Sequence, residues 1–231
     1  MKLDGREISR KIVEDLKNQS RLEKILAAVW VGNRPDSKSF LRQKELMAKE
    51  LGIVFELFQF GEEILEDDLI KEIKRIGADA EIGGVIVQLP LPPHFNRDRI
   101  LAAVNPKKDV DALTPESRKF VNPLPVAVVK EILLTLNFPL STSVMAVVGR
   151  GFLVGKPIAE YFKNKCRKLE VFHSKSDLSG LKEFDLVISG VGKAGLVKAE
   201  ILKAGALVID FGYDFKDGKV FGDFNPEGAE E

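Results

Sequence analysis

Short apolar runs alternating with amphipathic, helix-length segments constrain this chain more than any other feature. ILAAVWV (25–31), IVFELFQF (53–60) and GGVIVQLP (83–90) read as strands. Between them PDSKSFLRQKELMAKEL (35–51) and EDDLIKEIKRIG (66–77) read as helices, the first with Pro35 in its opening turn and Gly52 at its end. RDRILAAV (97–104) and PVAVVKEILLTL (125–136) are further helices. A second series then begins, with SVMAVVG (143–149), LEVFHS (169–174), DLVISGVG (185–192) and ALVIDFG (206–212) as strands. GKPIAEYFKNKC (155–166) and KAEILKAG (198–205) are its helices, and KVFGDF (219–224) a last short strand. Uninterrupted apolar strands separated by helices predict parallel sheets covered on both faces, so the fold class is α/β. The turn-rich VNPLP (121–125) predicts two domains, residues 1–121 and 122–231, with 122–140 as a bridging segment.

Composition narrows the function classes. With 45% hydrophobic and 30% charged residues over 231 positions, the chain can bury a sizeable core. Lys+Arg and Asp+Glu both number 35, so no basic excess points to nucleic acid or an anionic membrane. The start, MKLDGREISRK, lacks the apolar run of a signal peptide, and no stretch approaches the roughly 18 apolar residues of a membrane span. Cys166 is the only cysteine, which excludes an intrachain disulfide and fits the cytoplasm. It has no nearby histidine and reads as unreactive. No metal-ligating set is read, and the polar tail NPEGAEE reads as frayed.

The stretch VVGRGFLVGKP (147–157) carries the first chemical signal. An apolar strand ends at Gly149, Arg150 and Gly151 follow, and Gly155 opens a helix. Glycines there allow a tight turn and close approach of backbone N–H groups to a pyrophosphate, and the helix N-terminus adds partial positive charge. The spacing, Gly-x-Gly-x-x-x-Gly, is one residue longer than the usual fingerprint and by itself also fits a structural turn. The next strand ends in His173, Ser174, Lys175 and Ser176, without the carboxylate that an NAD ribose usually meets. Hydroxyl and cationic groups suit a 2′-phosphate, so Arg150 and Ser174 read as its clamp and NADP is favoured over NAD. Arg150 also fits a solvated turn residue, and His173 reads as a structural or ribose contact.

Three anomalies lie in the first half. Lys44 sits amid the apolar face Phe40, Met47, Ala48 and Leu51 of the helix 35–51, with Ser37 on nearly the same side. It reads either as a lysine that snorkels or as a desolvated acid/base. Gln88 ends a buried run at the C-terminal edge of a parallel strand, where ligands bind in open α/β sheets. Asp109-Val110-Asp111 follows a Pro-Lys-Lys turn and, alone, fits a solvated turn equally well.

Together these pieces resemble the methylenetetrahydrofolate dehydrogenase/cyclohydrolase (FolD-type) family over about residues 1–224. The resemblance rests on LDGREIS (3–9), VGNRPDSKSFLRQKELMAKELGI (31–53), GGVIVQLPLPPHF (83–95), NPKKDVDAL (105–113), VVGRGFLVGKPIA (147–159), FHSKS (172–176) and the ordered DLVISGVGK, ALVIDFGY and GDF. It implies an N-terminal catalytic unit and a C-terminal Rossmann-type NADP-binding domain flanking a cleft. Lys44 is then the catalytic lysine, Gln88 its hydrogen-bond partner and Asp111 the carboxylate gripping the pterin. Ser37 and Phe40 are implied at the substrate. Gly149, Arg150, Gly151, Gly155, Ser174 and Tyr213 are implied at the cofactor. The implied reactions are NADP-dependent oxidation of 5,10-methylenetetrahydrofolate and hydrolysis of the resulting methenyl compound to 10-formyltetrahydrofolate, by a cytoplasmic homodimer.

Three departures accompany the resemblance. Phe40 stands where the family usually has Tyr, and Ala112 follows Asp111 where it has Gly. Asn122-Pro123-Leu124-Pro125 replaces its Pro-Cys-Thr-Pro. Its Pro-Gly-Gly-Val-Gly-Pro-Met-Thr segment has no counterpart before Glu231. Alternatives are a dehydrogenase alone, a folate- and NADP-binding homologue without catalysis, or a shikimate-type dehydrogenase, the last disfavoured by VQLPLP and KDVD.

Overall fold

The computed structural model describes residues 3–19, 23–216 and 218–229, which form two compact units with the chain boundary between Asn122 and Pro123. The first unit runs α1 (Gly5–Lys17), β1 (Ile25–Val31), α2 (Pro35–Glu50), β2 (Val54–Phe60), α3 (Glu66–Ala78), β3 (Ile82–Val87) and α4 (Arg97–Leu101). Its three strands form a parallel sheet in the order β2-β1-β3. The central β1 is apolar because both of its faces are covered, and Ala28 and Trp30 pack with Leu41 of α2 and Ile86 of β3. On the far side of β3, residues 108–110 run alongside it: Val85 N–H donates to Lys108 O at 2.6 Å and Val110 N–H to Val85 O at 3.4 Å.

The second unit runs α5 (Leu124–Thr135), β4 (Val144–Val148), α6 (Gly155–Phe162), β5 (Lys168–Phe172), β6 (Leu186–Ser189), β7 (Val197–Lys198), β8 (Leu207–Asp210), β9 (Asp214–Lys216), β10 (Lys219–Phe221) and β11 (Phe224–Asn225). A parallel sheet of four strands has the order β5-β4-β6-β8. The chain therefore leaves β4 to one side and returns to the other, which makes a switch point between β4 and β6. One face of this sheet packs on α5 and α6 through Val126, Val129, Leu133, Ile158 and Phe162. The α5 helix, expected as a bridge, thus contributes its apolar side to this core.

Several elements differ from expectation, each for a physical reason. The helix α1 was not anticipated, although Asp4 and Glu7 carry the spacing of a capping box; the Asp4 carboxylate accepts from Arg6 N–H at 2.9 Å. The helix expected at 198–205 is reduced to a single 3-10 turn at Ala199–Ile201. Residues 197–198 pair instead with β11, and Val197 N–H donates to Asp223 O at 2.9 Å, so a segment too short to nucleate a helix gives its hydrogen bonds to a neighbour. KVFGDF divides into β10, which forms a hairpin with β9, and the start of β11. The apolar β2 is a sheet edge, so Val54 and Leu57 remain 61% and 43% exposed.

Candidate active site

Helix α2 places the first group of side chains. Pro35 opens it with a preset φ, and the Arg34 guanidinium grips Asp36 through Nε at 3.1 Å and Nη2 at 2.7 Å. That pair holds the Asp36 carboxyl below its usual range, and Asp36 in turn accepts from Ser37 N–H at 2.8 Å, which fixes the helix entry. The buried side of α2 consists of Ser37, Leu41 and Ala48. Phe40 and Met47 are exposed while Ser37 and Ala48 are buried, so the packed face is rotated toward Leu41 from the one read in the sequence. Lys44 nevertheless turns inward, because offsets of 3 and 7 from Leu41 and Ser37 put it on the truly buried side.

Lys44 Nζ lies 3.6 Å from Asp111 Oδ2, with the two side chains 31% and 14% exposed. Burial pushes the Asp111 carboxyl above the usual carboxylate range. The charge of Lys44 pulls it back down, and nearby Asp109 adds to the rise. Asp109 is itself buried and accepts from Leu113 N–H at 3.0 Å, which closes the turn that presents Asp111. Ala112 in that turn has φ 50°, a left-handed conformation more at home with glycine.

Gln88 follows β3 at the C-terminal edge of the sheet and is buried. Its amide nitrogen donates to Leu89 O at 2.6 Å, while Oε1 is buried without a partner. The Gln88–Lys44 hydrogen bond that the resemblance implied is therefore not made; the amide turns to the adjacent backbone instead. Ser37 Oγ, in the opening turn of α2 above the C-terminal end of β1, is likewise buried and unpartnered. An unsatisfied buried polar atom costs on the order of 1–3 kcal/mol, so two at one sheet edge point to a ligand that completes them.

The second unit carries the glycine turn. Gly149 has φ 105°, and a Cβ there would lie 3.1 Å from Gly190 O. A Cβ on Gly155 would lie 2.1 Å from Gly149 O, so only glycine lets α6 begin against the turn. The first turn of α6 thereby faces the C-terminal end of β4, as an anion site requires. Gly151 and Arg150 are exposed beyond β4, and Ser174 is exposed beyond β5. The loop holding Ser174 is tied by Ser176 N–H donating to His173 O at 2.8 Å and His173 N–H to Ser176 Oγ at 2.9 Å. Tyr213 is exposed between β8 and β9. The cradle glycines, the cation and the hydroxyl match the needs of a phosphorylated dinucleotide. No group of three or more His, Cys, Asp or Glu able to hold a metal occurs among the described residues, and none of their helices is long and apolar enough to cross a membrane.

One residue of this unit escaped the sequence reading except as part of the GDF motif. Asp223 is fully buried and accepts from Ser189 Oγ at 2.6 Å, Val191 N–H at 2.7 Å and Lys193 N–H at 2.6 Å. An acidic residue between Gly222 and Phe224 gave no local sign of burial; only chain crossing brings it to β6.

A parallel α/β unit with a half-buried lysine–aspartate pair, joined in sequence to a unit with a glycine turn at its switch point, defines a two-unit protein of the dinucleotide-binding class. Family models sharpen this. Residues 3–111 match the tetrahydrofolate dehydrogenase/cyclohydrolase catalytic domain and residues 123–231 match the NAD(P)-binding domain of the same family. The chain belongs to the tetrahydrofolate dehydrogenase/cyclohydrolase family. It is 34% identical over 237 residues to the bifunctional protein FolD of Lactobacillus delbrueckii subsp. bulgaricus, covering 96% of this chain and 83% of that one. With the FolD of Staphylococcus aureus it shares 32% over 246 residues, 99% of this chain and 86% of the other. Among solved structures, the bifunctional FolD of Campylobacter jejuni superposes with a TM-score of 0.92 at 29% identity, covering 97% and 86%. The Trypanosoma brucei FolD, solved with NADP cofactor and an inhibitor, gives 0.90 at 26%, covering 99% and 86%. A shikimate 5-dehydrogenase of Thermus thermophilus, at 14% identity and TM-score 0.52, shares the fold alone.

Proposed function

We propose that the protein oxidises 5,10-methylenetetrahydrofolate with NADP and hydrolyses the resulting 5,10-methenyltetrahydrofolate to 10-formyltetrahydrofolate. The observation that carries this is the Lys44–Asp111 pair, 3.6 Å apart on a chain that matches both domains of the family. When bound, NADP supplies the acceptor for the hydride leaving the methylene bridge. Gly149, Gly151 and Gly155 with the start of α6 hold its pyrophosphate, Arg150 and Ser174 its 2′-phosphate, and Tyr213 borders it.

The first unit supplies the substrate site. Asp111 grips the pterin, whose ring nitrogens donate to a carboxylate, and Ser37 Oγ and Gln88 Oε1 find in the folate the partners they lack. The Phe40 ring stacks on it. In the hydrolysis, water adds through oxygen to the bridging carbon of the methenyl cation and loses one proton. The bond from that carbon to N5 then breaks as N5 takes up a proton and the new hydroxyl gives one up. One proton is released overall. Lys44 Nζ is the group placed to handle these protons and to polarise the reacting carbon.

A homodimer in the cytoplasm completes the reading. Its support is β2, a strand on the open edge of the sheet with exposed Val54 and Leu57.

Two assays test the function: NADP reduction driven by methylenetetrahydrofolate, and loss of methenyltetrahydrofolate. Both should proceed on the wild-type chain. Lys44→Met keeps length and apolar character, so it should fold normally and lose cyclohydrolase activity by about a hundredfold or more. Wild-type turnover of neither compound overturns the proposal; normal hydrolysis by Lys44→Met removes the lysine from it.

A further inference from the structure

Beyond the groups that touch ligand, the second unit contains a buried carboxylate that the proposed chemistry does not use. Asp223 has no exposed surface, and the hydrogen bonds its carboxylate accepts come from residues 189–193. One oxygen, Oδ2, takes Ser189 Oγ–H and Val191 N–H, and Oδ1 takes Lys193 N–H. These donors belong to the end of β6 and the loop that follows it.

The position of that loop gives the bonds a purpose. The sheet order β5-β4-β6-β8 puts the switch point between β4 and β6, so a ligand crevice is walled by the loops after those two strands. The loop after β4 is the glycine turn. The loop after β6 lies directly against it: a Cβ on Gly149 would meet Gly190 O at 3.1 Å, and one on Gly190 would meet Val154 Cγ1 at 2.5 Å. Residues 190–193 are thus wedged between the glycine turn on one side and Asp223 on the other. Gly192 adopts φ 76°, so the loop has a specific left-handed shape. Access to the carboxylate was made by glycine too, since a Cβ on Gly212 would lie 2.4 Å from Asp223 Cγ.

We propose that Asp223 is a positioning residue of the cofactor site: through Val191 and Lys193 its buried carboxylate fixes loop 190–193 as one wall of the dinucleotide crevice. This rests on the dinucleotide reading given above. Asp223 never touches the cofactor; it acts through the backbone it holds. A carboxylate suits the task because each of its oxygens accepts, whereas the carboxamide of an asparagine accepts at one end only. In Asp223→Asn either Val191 N–H or Lys193 N–H faces an NH2 group, and the loop must shift to relieve the clash.

The test uses the full-length chain and NADPH binding followed by nicotinamide fluorescence, with amide exchange measured without cofactor. Asp223→Asn should weaken NADPH about tenfold or more and speed exchange at Val191 and Lys193. The KM for methylenetetrahydrofolate should change by less than about threefold. Phe184→Leu, a core truncation of the same unit away from the loop, should lower the melting temperature yet bind NADPH like the wild type. If Asp223→Asn does not fold, Gly192→Ala decides, because it leaves the carboxylate intact and strains the loop at its φ of 76°, with its Cβ 3.3 Å from Tyr213 O; it too should weaken NADPH about tenfold. A folded Asp223→Asn with wild-type NADPH affinity overturns the proposal, as does equal weakening by Phe184→Leu or an unaffected Gly192→Ala. No NADPH binding by the wild-type chain overturns both this proposal and the dinucleotide reading beneath it.

Discussion

At residue 40 the chain has phenylalanine where the family resemblance implies tyrosine, and the cost should be selective. Water addition needs a proton arrangement more exact than alignment of two rings, and a phenolic hydroxyl one helical turn from Lys44 can orient water or the amine. Phenylalanine keeps the stacking area alone. Phe40→Tyr should therefore raise methenyltetrahydrofolate hydrolysis at least about tenfold and leave the dehydrogenase within a few-fold. An unchanged ratio of the two rates assigns any hydrolytic deficit elsewhere. Asp111 offers a second prediction at this scale. Burial raises its folded-state pKa above the unfolded value, so the protonated form favours the fold. The stability that this protonated form contributes is fully present below the unfolded pKa, about 4, and is lost as pH rises through the raised folded pKa. Above that point the ionised carboxylate is a burden. Asp111→Asn should accordingly leave the melting temperature at neutral pH equal or a few degrees higher, flatten its dependence on pH across the acid range, and raise the folate KM. A fall of several degrees at neutral pH would show that the contact with Lys44 outweighs burial.

Among elements, the start of α6 is the least tolerant. The carbonyl that a Gly155 Cβ would strike, at 2.1 Å, belongs to the backbone of Gly149 and cannot turn aside as a side chain would. Gly155→Ala should cost about 2–4 kcal/mol in a denaturant titration and abolish NADP binding, whereas the same change at Gly205, with open space around its Cβ, should cost only the strain of its φ of 75°. Equal losses at the two glycines would refute the close packing of turn and helix. The same region shows how an element's length depends on its neighbours. Residues 198–205 carry a helical pattern, yet β11 claims the backbone of 197–198 first.

At the scale of the whole molecule, β2 is the surface on which the proposed homodimer rests. An edge strand exposes unpaired backbone groups, and Val54 and Leu57 add apolar surface that water disfavours. Replacing both with lysine should convert the proposed homodimer to a monomer in sedimentation velocity while the fold, judged by circular dichroism, persists. A sedimentation coefficient unmoved by the double substitution would place any dimer contact away from β2.

Much of this was legible in the residues. Alternation of apolar runs with helix-length segments determined parallel α/β units, because a strand covered on both faces must be apolar throughout. The glycine turn, Arg150, Ser174 and the carboxylate missing after β5 are local chemistry, readable as an order of residue types. What the sequence could not determine was set by contacts distant along the chain. Whether Lys44 turns inward depended on which face of α2 meets β1, and Phe40 and Met47 suggested one rotated away from Leu41. Burial of β2 depended on a strand on its outer edge, which the sheet order withholds. Asp223 looked like any acidic turn residue until the fold carried it 34 positions back to Ser189 and enclosed it. Periodicity reports the environment that a segment requires; only packing decides which neighbour supplies it.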